Sequence, residues 1–153
     1  MQPDFLAALL PGIRRIGLRV MLETNGTEVR AFRRLRRWVD IVSMDFKLRS
    51  ATGIPMPLRS HREFLRLAVG GTRETYVKLV LTSRSARREV ARVAAAVAAV
   101  SPEIPVILQP VTPTRRGMRP PSPGRLLEWQ ETAARRLKNA RVIPQTHRLI
   151  GQR

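Results

Sequence analysis

The sequence predicts an α/β fold built on a parallel sheet. Two observations carry this. Short apolar stretches rich in β-branched residues alternate with longer stretches whose apolar residues recur every three or four positions. The connections between the apolar stretches are also too long for hairpins and of the right length for crossover helices. With 153 residues the chain amounts to one domain, residues 1–153, large enough for a substantial core.

The elements follow in order. "PDFLAALLPGIRRI" has helical spacing and sets Phe5, Leu6, Leu9 and Leu10 on one side. "GLRVMLET" reads as a short strand. It ends in Asn25-Gly26, the commonest two-residue hairpin signal. The next apolar residues are Val29, Phe32, Leu35 and Val39, whose gaps of three and four fit a helix over "TEVRAFRRLRRW". "DIVSMDFKL" is a strand. "SHREFLRLAV" is a helix opening on a capping box, Ser60 with Glu63. His61 falls in its first turn and reads as a solvated helix residue.

"TYVKLVLT" is a β-branched strand, and "SARREVARVAAAVAAV" an alanine-rich helix with Val90, Val93 and Val97 inward. "IPVILQPVTP" is a strand closed by prolines, and "RPPSPG" a loop. "GRLLEWQETAARRLKN" is a helix, and "RVIPQTH" a last short strand or extended segment.

The composition narrows the chemistry. No apolar run has the ~20 residues of a membrane helix, and no secretory leader pattern is present, so no membrane partner is expected and a cytoplasmic protein is the default. The net charge of +18 comes almost wholly from arginine, since Lys47, Lys78 and Lys138 are the only lysines. Such a charge attracts nucleic acid. Here the arginines are spread over every segment and aromatics are scarce, so compositional bias is the preferred explanation and nucleic acid the disfavoured partner. There is no cysteine, which excludes disulfides, thiolate-bound zinc and any iron–sulfur cluster held by this chain's own thiolates.

In parallel α/β folds ligands sit at the C-terminal ends of the strands. Those ends read Glu23-Thr24-Asn25-Gly26, Asp45-Phe46-Lys47, Thr82-Ser83, Gln109-Pro110-Val111-Thr112 and Gln145-Thr146-His147. Carboxylates suit ribose hydroxyls and ammonium groups, lysine suits a carboxylate, and Gly26 allows close backbone approach. This set fits a nucleoside-like zwitterion, and no glycine-rich phosphate loop accompanies it. Each residue also has a plainer explanation. Glu23 and Asp45 are equally explained as helix caps, Lys47 as a surface lysine or an ion-pair partner of Asp45, and Gln109 as a backbone ligand in a bend. No nucleophile elbow frames Ser43, Asp45 and His147 as a triad.

Taken together, "LETNGT", "IVSMDFKL", "YVKLVLT", "ILQPVTP" and "RVIPQTHRLIGQR" resemble the 7-carboxy-7-deazaguanine synthase family of radical S-adenosylmethionine (SAM) enzymes. The resemblance spans nearly the whole chain. It implies a parallel-stranded partial (β/α) barrel of the radical SAM type, truncated at the N-terminus. It also implies SAM, a four-iron, four-sulfur cluster and Mg²⁺, with a radical ring contraction of 6-carboxy-tetrahydropterin to 7-carboxy-7-deazaguanine and loss of ammonia. Carried onto this chain, Thr24 would touch the pterin. Gly26, Asp45, Phe46, Lys47, Gln109, Pro110, Val111 and Thr112 would lie along SAM.

The three-cysteine motif, the Mg²⁺-binding threonine beside it and the Gly-Gly-Glu-Pro segment of the family are absent. The chain therefore resembles the C-terminal portion of such an enzyme, expected to be inactive alone; a late-called start, a truncated gene and a split enzyme would each look like this, the last with a separate N-terminal half as partner, and a homodimer partner is the other candidate. In-frame DNA upstream of Met1 is expected to encode the missing motifs. Two alternatives stand beside this reading: another radical SAM enzyme of the glycyl-radical activating type, and a basic nucleic-acid-binding module.

Overall fold

The computed structural model describes residues 2–113 and 119–145. Five strands, β1 (Met21–Thr24), β2 (Ile41–Lys47), β3 (Glu74–Leu81), β4 (Val106–Pro110) and β5 (Ala140–Val142), form one sheet in that order. Every pairing is parallel, with Glu23 opposite Ser43, Asp45 opposite Lys78, and Val80 opposite Gln109. The parallel α/β expectation is borne out. Because β1 and β2 run the same way, the Asn-Gly dipeptide is a strand-to-helix turn and not a hairpin.

The helices are α1 (Pro3–Arg15), α2 (Val29–Leu35, continued by a 3-10 turn), α3 (Arg49–Thr52), α4 (Leu58–Val69), α5 (Arg87–Ala98) and α6 (Pro123–Ala134). Strand side chains alternate between the two faces of a sheet. Val42, Met44 and Phe46 of β2 with Val77, Leu79 and Leu81 of β3 supply the buried face. Phe32, Phe64, Leu65, Val90, Val93, Val97 and Trp129 from the helices close over it, with the Phe32 and Phe64 rings stacked 4.2 Å apart. The three valines expected to point inward from α5 do so. The other face, with Glu23, Ser43, Asp45, Lys47, Tyr76, Lys78 and Gln109, carries no helix among the described residues.

Several local expectations are corrected. On α1 only Leu10 is buried, whereas Phe5 and Leu9 are exposed. Strand β1 starts at Met21 because Gly17, at φ +79°, turns the chain out of α1 first. The capping box at Ser60 does not form. Helix α4 begins two residues earlier, after Pro57, whose carbonyl accepts from the His61 amide at 3.1 Å and whose ring presets the entry. Ser60 is thus inside the helix, and Glu63 pairs with Arg33 on the surface. Pro123 belongs to α6, not to a loop, since Pro is favoured in a first turn and the Ser122 hydroxyl caps the Arg125 amide. The short helix α3, closed by Gly53 at φ +76°, was not expected. Thr146 and His147 lie outside the described residues.

Asp40 ties the N-terminal side of the sheet together. Its side chain, 4% exposed, accepts from Arg14 Nη1 at 2.7 and 2.5 Å and from the Val20 amide at 2.9 Å. The Val20 amide chiefly holds its carboxyl below the usual range. Arg14 and Arg73 add to this, and burial opposes it. A lowered carboxyl pKa gives stability that is complete above the ordinary value near 3.9 and lost as pH falls through the folded value. Asp40→Asn should cost about 1–2 kcal/mol at neutral pH, less than a fully buried pair because Arg14 is partly solvated. Chemical denaturation at neutral pH and near pH 3 checks this: the variant's deficit should shrink in acid.

Candidate functional site

The strand ends converge on the uncovered face. Glu23, Asp45, Tyr76, Lys78, Val80, Gln109, Arg141 and Gln145 line one open pocket there, of about 720 Å³. Its ionisable lining is three carboxylates (Glu23, Asp45, Glu74) against two strong bases (Lys78, Arg141). In a chain of net charge +18 this lining is close to balanced, with its carboxylates set against the prevailing charge.

Lys78 stands at its centre. Its Nζ lies 3.0 Å from Glu23 Oε1 on β1 and 3.2 Å from Asp45 Oδ1 on β2, with the lysine side chain 17% exposed. Burial works against its charge, but Glu23 and Asp45 outweigh this and raise its pKa above the ordinary lysine value. Glu23 takes an aligned hydrogen bond. Asp45 Oδ1 has only the Coulombic approach and no aligned donor, and the hydroxyl of fully buried Ser43, on the same face two residues earlier, has no partner either. Both oxygens are buried, and Asp45 borders the pocket through the rest of its side chain, which is 30% exposed.

The turn after β1 is fixed by its own side chains. Thr24 Oγ1 accepts from the Gly26 amide at 3.1 Å, and Asn25 Oδ1 accepts from the Thr27 amide and hydroxyl at 3.2 and 2.9 Å. Gly26 is required by its φ of +70° and by Met44 beneath it, whose Sδ a Cβ would meet at 2.7 Å. The close approach that Gly26 permits in this structure is therefore to Met44.

Asp45 and Lys47 share the pocket face, and Asp45 pairs with Lys78. Phe46 points to the other face, fully buried beside the His61 ring, so only its backbone borders the rim. Gln109 lines the pocket. Pro110 ends β4, the Val111 amide bonds the Leu81 carbonyl at 2.8 Å, and the Thr112 amide reaches Gln145 Oε1 at 3.4 Å. These bonds join the ends of β3, β4 and the segment after β5. Neither Glu23 nor Asp45 caps a helix through its side chain. Among the described residues each has its ionic contact with Lys78.

Sequence reasoning missed two residues. Lys78 was counted only as a rare lysine, yet a lone lysine inside a β-branched parallel strand is a signal that its charge is met across the sheet. His61 was read as solvated but is 4% exposed. Its spacing with Phe64, Leu65 and Ala68, all buried, marks the inward stripe of α4.

The comparisons first define a class. A domain of pyruvate-formate lyase-activating enzyme from Bacteroides vulgatus superposes with a TM-score of 0.71 over 92% of this chain and 91% of that domain, at 17% identity. The fold is accordingly an α/β one of the radical SAM type. In sequence the chain is similar to 7-carboxy-7-deazaguanine synthase from Geobacter sulfurreducens: 40% identity over 151 residues, 97% of this chain. The chain spans 58% of the length of that relative. No protein-family model matches.

The groups this class implies differ in fit. The Glu23 and Asp45 carboxylates on the pocket wall suit the hydroxyl and cationic groups of SAM. A four-iron cluster does not fit this chain's own residues, which include no cysteine. Among the described residues no group of three His, Asp or Glu side chains gathers to hold Mg²⁺. No helix among them is long and apolar enough to cross a membrane.

Proposed function

We propose that this chain forms the SAM- and substrate-facing wall of a 7-carboxy-7-deazaguanine synthase, which converts 6-carboxy-tetrahydropterin to 7-carboxy-7-deazaguanine with loss of ammonia. The observation that carries the reading is the 40% identity over 97% of the chain. The pocket supports it. Bound SAM supplies the radical chemistry of the class. Asp45 would accept from its hydroxyl and ammonium groups, with Lys47, Gln109 and the backbone of Gly26, Phe46, Pro110, Val111 and Thr112 along the same edge. Lys78 holds Asp45 and Glu23 for that task, and Thr24 would border the pterin, as the resemblance implies.

With no thiolate of its own, the 153-residue chain needs a cluster-bearing region, of the same polypeptide or a partner, and alone would be inactive. The test is an anaerobic assay of the intact natural protein with SAM, reductant and 6-carboxy-tetrahydropterin. Formation of 7-carboxy-7-deazaguanine is expected. SAM cleavage without that product would favour another radical SAM reaction, and no cleavage at all would overturn the reading. The 153-residue chain tested by itself should bind no stoichiometric iron and release no 5′-deoxyadenosine.

A further inference from the structure

The turn after β1 is held from below by a side chain that belongs to none of the strand ends. His61 projects from α4 with its ring centroid 4.5 Å from that of Phe46 and its Nε2 3.0 Å from the Asn25 carbonyl oxygen. A carbonyl only accepts, so Nε2 carries the hydrogen and donates it. In the neutral ring that leaves Nδ1 a bare lone pair, and Nδ1 is buried without a partner.

An apolar ring would fill the same space without stranding a polar atom, and leaving one stranded is costly. What only the histidine provides is a donor beneath Asn25. Among the described residues, His61 is the donor to that carbonyl. The bond clamps α4 to the middle of Glu23-Thr24-Asn25-Gly26, between the pocket carboxylate Glu23 and Gly26, the glycine seated on Met44. Burial also drives the ring's pKa down, more than the Asn25 carbonyl raises it, which keeps the ring neutral.

We propose that His61 is a positioning residue: its Nε2–H holds the Glu-Thr-Asn-Gly turn in place and through it one edge of the pocket. The functional consequence rests on the reading of that edge as SAM-facing, and the test separates the two. Imidazole ¹⁵N NMR of the intact protein at neutral pH should show His61 as the neutral Nε2–H tautomer. An Nδ1–H tautomer or a charged ring would overturn the proposal, and this measurement needs no variant.

His61→Phe keeps a ring but loses the donor. Hydrogen exchange at the Gly26 and Thr27 amides should then quicken about tenfold or more while β3 amides keep their protection. His61→Gln, which retains a donor of similar reach, should recover much of the loss. Unchanged exchange at Gly26 and Thr27 in His61→Phe would overturn the proposal. If that variant does not fold, the tautomer decides. SAM affinity that falls as the turn loosens supports both ideas. A loosened turn with unchanged SAM affinity leaves the positioning role standing and removes the turn from the SAM site.

Discussion

Replacing Asp45 with asparagine is expected to weaken SAM binding by roughly ten- to a hundredfold, the equivalent of one charge-assisted hydrogen bond of about 1.5–3 kcal/mol. The carboxylate is at the rim, partly buried, with one oxygen close to Lys78 and no donor aligned on it. The amide keeps the shape but loses the charge and halves the acceptor capacity. Stability should change little, within about 1 kcal/mol, because the contact with Lys78 is an ion pair without good hydrogen-bond geometry. Lys47→Met, on the same face and exposed, should weaken binding in the same direction. Isothermal titration with SAM on the intact protein, with thermal unfolding as control, separates the two effects. Unchanged affinity in both folded variants would take this strand end out of the site.

Lys78→Met is expected to act on the fold. It removes the cation that, among the described residues, bridges Glu23 and Asp45, and leaves two carboxylates on adjacent strands. The lysine's low exposure makes the loss larger than for a surface pair, and the solvation of Glu23 limits it, so about 2–3 kcal/mol is expected. For a chain of this size that lowers Tm by roughly 5–10 °C.

The pH dependence has a definite sign. The ammonium's pKa is raised in the fold, so its contribution is complete below the ordinary lysine value near 10.4 and is lost as pH rises through the folded value. From neutral pH upward the wild type should therefore keep its advantage over Lys78→Met until strong alkali. Glu23→Gln in the Lys78→Met background should cost much less than in the wild type, since its partner is already gone. Equal costs in both backgrounds would show that the pair is not coupled.

What was legible in the sequence is the part written in local periodicity. The period-two and period-3.6 patterns locate the strands and most helices, and polar residues mark where strands stop. What escaped depends on contacts distant in sequence. Lys78 meets Glu23 across 55 positions, through a strand that separates them in the sheet. No pattern inside "TYVKLVLT" states that partner. A helix started at Ser60 leaves His61 in a solvated first turn. Pro57 starts it earlier, and the inward stripe then runs through His61 to Ala68. Phe46 was grouped with Asp45 and Lys47 as neighbours in sequence, yet strand alternation turns its ring to the opposite face.

If SAM binds the uncovered face of the sheet, chemical-shift mapping of the intact protein titrated with SAM should place the largest shifts at Gly26, Ser43, Asp45, Lys47, Lys78 and Gln109, with α5 and α6 unmoved. Shifts concentrated on those outer helices, or none on this face at saturating SAM, would contradict it.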